Sequence, residues 1–113
     1  MSRRSPTRSP KIFLLADQGW GSYSTLIETR RDLVAKNPNL VQRFVDASAI
    51  GWANYLYGDN SAANARIKRD NPEMSDAAIA YSIAKMKEFG IVDSGDSTRL
   101  GVGAMTDARM KSF

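Results

Sequence analysis

The sequence predicts a mostly helical chain, about four helices against two or three short strands, and three observations lead there. Apolar residues recur at three- and four-residue spacing between Leu40 and Leu56, the period of a helix with one buried face. Prolines, glycines and capping residues cut the chain after Thr29 into helix-length pieces. Strand character is confined to two short runs before residue 30.

The first run, "IFLLA" (12–16), is continuously apolar, too short for a self-evident helix and preceded by Pro10, as in a strand buried on both faces. Residues 17–22 form a loop, since Gly19 and Gly21 can both adopt positive φ. "YSTLIET" (23–29) alternates partly and holds the β-branched Thr25, Ile27 and Thr29, which predicts a second short strand. Two short strands are not stable alone in water, and the chain offers them few partners.

Residues 32–36 should form one or two helical turns, halted by "NPN", with Pro38 as an early residue of the next helix. In that helix the periodic set Leu40, Val41, Phe44, Val45, Ala47, Ser48, Ile50, Gly51, Trp52, Tyr55 and Leu56 predicts one broad buried face. Gly58 is expected to end it in the left-handed conformation, and Asp59, Asn60 or Ser61 to cap "AANARIKRDN". Pro72 breaks the chain again. Ser75 or Asp76 caps "AAIAYSIAKMKEF", with Ile79, Ile83, Met86 and Phe89 as its apolar stripe and Gly90 as its end. "VDSGDS" reads as a turn, "LGVGA" is glycine-interrupted, and Thr106 can cap a last helix beginning "DARM".

Composition narrows the chemistry. A length of 113 residues suits one small domain, and 42% hydrophobic with 25% charged residues is ordinary for a globular chain. No window approaches the roughly 18 apolar residues of a membrane-spanning helix. Without cysteine there is no disulfide, thiolate zinc site or cysteine nucleophile, and without histidine no imidazole ligand or Ser/His/Asp triad within this chain. The formal charge of +4 is local: "MSRRSPTRSPK" carries Arg3, Arg4, Arg8 and Lys11 with no acid, and from Ile12 onward cations and acids are equal in number. Residues 1–11 are expected to be a disordered basic leader.

The remaining motifs are weak. Gly101 and Gly103 lack the third glycine of a dinucleotide loop and the Gly-Lys-Ser/Thr of a phosphate loop. Asp93 and Asp96 lack the alternating acids and distal Glu of an EF-hand, so they read as solvated turn carboxylates and no metal site is expected. Arg66, Lys68 and Arg69 beside Asp70 read as a solvated helix face. Trp52 and Tyr55 have core spacing, whereas Trp20 and Tyr23 sit in a Gly-rich loop after a buried strand, where open α/β sheets bind ligands. The candidate ligand-binding residues are therefore Asp17, Gln18, Trp20, Tyr23 and Ser24, with Ser22 beside them: stacking faces, hydrogen-bonding groups and one anion.

"FLLAD", the Gly/Tyr loop, "STLIETRRDLVAKNPNLVQRFVDASAIGWANYLYGD" and "AANARIKRDNPEMSDAAIAYSIAKMKEFGIV" together resemble the C-terminal part of ABC-transporter substrate-binding proteins of the NMT1/THI5-like group, relatives of the sulfonate, taurine, nitrate and thiamine-pyrimidine binders. The resemblance runs from Phe13 to Phe113 and does not extend over residues 1–11. It implies an α/β fold of the type II periplasmic-binding-protein kind, two lobes closing on a small molecule. Residues 12–113 would be the C-terminal portion of that domain, with strand and hinge loop over 12–29 and a helical part over 30–113. The strands would pair with sequence that is not in this chain.

By the same resemblance the function is that of a solute-binding component of an ABC importer, non-catalytic and without cofactor, taking a small organic or anionic solute and meeting an ABC permease in the intact parent. The parent would be extracytoplasmic. This chain shows no signal peptide and would be cytoplasmic if expressed as written. Some relatives form pyrimidines with a histidine and a cysteine-rich motif, and neither residue type occurs here. Apolar surface left open by missing lobes predicts self-association. A competing reading is a small independent helical protein that binds nucleic acid through its Arg/Ser-rich tail. The neutral body weighs against it.

Overall fold

The computed structural model describes residues 11–112. It contains six α-helices and one 3-10 turn, and among the described residues there is no strand. The chain divides into two compact units, residues 27–106 and a smaller unit that joins residues 11–26 to residues 107–112.

In the larger unit, α1 (Arg31–Lys36) and α2 (Pro38–Tyr57) are separated by Asn37, whose side chain accepts the Leu40 amide at 3.2 Å while Pro38 occupies the first helical position. The "NPN" sequence thus ends one helix and starts the next: an Asn oxygen satisfies an orphan donor, and proline occupies a position whose N–H has no helical partner. The 20-residue α2 ends at Gly58, which is extended (φ −110°, ψ −154°) and not left-handed as expected. A Cβ there would be crowded, 3.0 Å from the Asn54 carbonyl oxygen.

α3 (Ser61–Asp70) starts at Asn60, but the side chain that reaches a backbone amide is that of Asp59, accepting from Ser61 at 2.9 Å. That bond, joined by one with the Ser61 side chain, holds the Asp59 carboxyl below its ordinary pKa. Arg66 and Asp70 form an exposed ion pair one turn apart, the solvated face expected of "RIKRD". α4 (Asp76–Glu88) is capped by Ser75, which accepts the Ala78 amide at 3.1 Å. Gly90, at φ +57°, terminates it with its N–H bonded to Lys87. α5 (Ser97–Leu100) follows the "DSGDS" turn.

Burial is sparse. Only Leu56 and Ile79, 2% and 5% exposed, are fully buried among the described apolar residues. The stripe on α2 is present in sequence but is not covered: Val41, Ser48 and Tyr55 are half-buried one above another, while Leu40, Phe44, Val45, Ile50 and Trp52 are exposed. On α4, Ile83 and Met86 are half-buried and Phe89 is exposed. The broad buried face that the periodicity predicts is therefore only partly formed among the described residues. Polar contacts supplement the small core. The Tyr57 hydroxyl donates to Asp93, the Lys87 ammonium lies 4.8 Å from the centre of the Tyr57 ring, and Lys68 pairs with Asp76 at 2.6 Å. The bond to Asp93 raises the Tyr57 pKa above its ordinary value.

In the smaller unit, the expected strand over 12–16 is absent. Its second half enters a 3-10 turn, Leu15–Gln18, closed by Gly19 at φ +89°. The segment 23–29, of which 27–29 belong to the larger unit, is likewise irregular and forms no ladder. A strand is defined by hydrogen bonds to a neighbour, and neither run has one; in the first run the backbone instead bonds locally, Asp17 to Leu14 and Trp20 to Leu15. The unit is completed by α6 (Asp107–Met110).

Candidate functional site

Asp17 and Gln18 fall in the last two positions of the 3-10 turn and are exposed. The amides of Gly19 and Trp20 donate back to Ala16 (3.1 Å) and Leu15 (3.0 Å), which reverses the chain. The left-handed Gly19 makes this reversal possible, since an L side chain at that φ is strained. Trp20 follows immediately and is 57% exposed. Ser22 and Tyr23 are half-buried and Ser24 is exposed again.

Sequence reasoning did not include Arg109. From α6 its Nε donates to the Gly21 carbonyl at 2.6 Å, and Nη2 lies 3.5 Å from the Ser22 carbonyl. The same guanidinium sits 4.4 Å from the centre of the Tyr23 ring. One side chain therefore holds three successive loop residues, through two carbonyls and an aromatic face, a combination suited to a planar donor fork. A separation of 86 to 88 residues leaves no local signal for this contact; the only hint was an arginine unassigned to any motif.

All five candidate residues, Asp17, Gln18, Trp20, Tyr23 and Ser24, thus lie on one short stretch of the smaller unit. Two apolar concavities lie elsewhere, within residues 27–106. One, of about 260 Å3, is lined by Ile27, Glu28, Thr29, Leu33, Leu40 and Phe44 among others. The other, of about 470 Å3, lies between α2, α3 and Met86 and includes Trp52, Tyr55 and Ile67. None of the five candidates lines either. Among the described residues no three acidic side chains converge as metal ligands, and no helix is long and apolar enough to cross a membrane.

The family model described as NMT1/THI5 like matches residues 3–62. This chain belongs to the NMT1/THI5-like family. The match spans the whole candidate loop, α1 and α2, and it also runs through most of the Arg/Ser-rich segment, where the sequence resemblance was expected to stop. It ends just inside α3, so α4 to α6 and Arg109 lie beyond the matched residues. No curated protein and no solved structure matches the chain. NMT1/THI5-like membership supports a small-molecule-binding role at the level of the family.

Proposed function

We propose that this chain is part of the solute-binding component of an ABC importer, with a two-lobed, type II periplasmic-binding architecture in the intact parent. The observation that carries the reading is the family match across residues 3–62, which contains the exposed loop from Asp17 to Ser24. In this reading Trp20 or Tyr23 stacks on a small organic or anionic solute, Asp17, Gln18 and Ser24 hydrogen-bond it, and no catalytic step occurs. The parent works outside the cytoplasm and delivers its solute to an ABC permease, and the closing lobes supply most of the affinity. The twenty exposed large apolar residues among those described fit the same reading: they are surface that the rest of the parent would cover.

The test is a titration followed by amide chemical shifts, using taurine, nitrate and an aminopyrimidine as probes. A closed cleft that holds a solute at about 1 μM supplies about 8 kcal/mol, and one wall contributing half of this leaves a Kd of about 1 mM. The expected result is saturable binding by one probe near that concentration, with shifts confined to residues 17–24. Binding that shifts only residues 27–106, or no saturable shift at about tenfold higher concentration, overturns the proposal.

A further inference from the structure

We infer that Arg109 is the positioning residue of the candidate solute loop, an inference that rests on reading residues 17–24 as solute-facing. The loop has no sheet to hold it, because neither flanking run forms a ladder. Its glycines add freedom: Gly19 is left-handed, and a Cβ built at Gly21 would meet nothing within 4 Å. The Arg109 guanidinium ties the segment to α6, bonded to the carbonyls of Gly21 and Ser22 and placed over the Tyr23 ring.

The clamp also divides the labour of the two aromatic residues. Tyr23, half-buried with the cation 4.4 Å from its ring centre, is part of the support. Trp20, exposed and one residue before the first gripped carbonyl, is the stacking face. Arg109 then acts on solute affinity by holding the Trp20 backbone in one place before binding, so that less ordering is left for the solute to impose.

Backbone order parameters of the loop test the clamp without any solute, and the probe titration tests its consequence. The expected result is that Gly21, Ser22 and Tyr23 have order parameters of about 0.8 in the unaltered chain and below about 0.6 in Arg109→Ala, with α2 unchanged. Arg109→Lys keeps the charge but not the fork, and should fall between the two. For the probe that binds, Arg109→Ala should weaken the affinity about tenfold, and Trp20→Ala should weaken it more than Tyr23→Leu. Should Arg109→Ala disturb α2 as well, Arg109→Lys alone decides. Unchanged loop order in the variant that keeps α2 intact overturns the inference while leaving the proposed function standing. Absence of probe binding to the unaltered chain overturns the proposed function, and the order parameters still decide whether Arg109 is the clamp.

Discussion

Replacing Leu56 and Phe44 separately by alanine measures how much of the α2 apolar stripe is covered within this chain. Leu56 is 2% exposed, and losing its three outer carbons at ~0.8 kcal/mol per methylene gives about 2.4 kcal/mol. A rigid cavity would raise that figure, but buried apolar neighbours are few, so the transfer part should dominate. Phe44 is 59% exposed. If full burial of a phenylalanine is worth about 2.5 kcal/mol, two-fifths of it is about 1 kcal/mol. The better helix propensity of alanine returns about 0.5 of that. The assay is hydrogen exchange of the α2 amides. Leu56→Ala should speed the slowest of them by roughly 50-fold, at 1.4 kcal/mol per tenfold, and Phe44→Ala by about two- to threefold. Equal effects would refute the reasoning, because they would mean that the Phe44 side of α2 is packed within the chain.

Three further outcomes follow from local geometry. Ser75→Ala removes the acceptor of the Ala78 amide at 3.1 Å and should cost about 1 kcal/mol, seen as faster exchange in the first turn of α4 alone. Gly90→Ala should cost more than about 1 kcal/mol, because φ is +57° and the new Cβ would lie 2.6 Å from the Ser94 Cβ; the Ile91 amide, bonded to Met86 at 2.9 Å, should lose protection first. The Tyr57 contact with Asp93 raises the phenol pKa above 10.0, so its contribution is complete below that pH and is lost as pH rises through the folded-state pKa. A difference titration of unaltered chain against Tyr57→Phe, followed by ellipticity at 222 nm, should show an alkaline step only where Tyr57 is present.

Helices were legible wherever a local device sets them. Asn37 with Pro38, Ser75 as a cap and Gly90 as a stop each act through atoms within a few residues, so their spacing in the sequence is the mechanism itself. Strands were not legible in that way. Residues 12–16 and 23–29 have strand composition, but a strand needs a partner's hydrogen bonds, and within this chain Leu15–Gln18 turns into a 3-10 helix instead. Gly58 does end α2, but in an extended and not a left-handed conformation, with its N–H bonded to the Asn54 carbonyl. The candidate loop was legible as a stretch, from its glycines and aromatics, while the residue that holds it was not. Arg109 meets Gly21 only through the folded chain, and no periodicity or motif links positions 88 apart.

Under the proposed function, the exposed apolar faces among the described residues are surface that other protein covers. Thermal unfolding followed by far-UV circular dichroism, with the mass of the same sample measured by light scattering, tests it most directly. The account predicts a broad, non-cooperative loss of helix or a species heavier than the 12.5 kDa chain. A sharp cooperative transition from a monodisperse monomer would contradict it, showing that these helices make a self-sufficient domain.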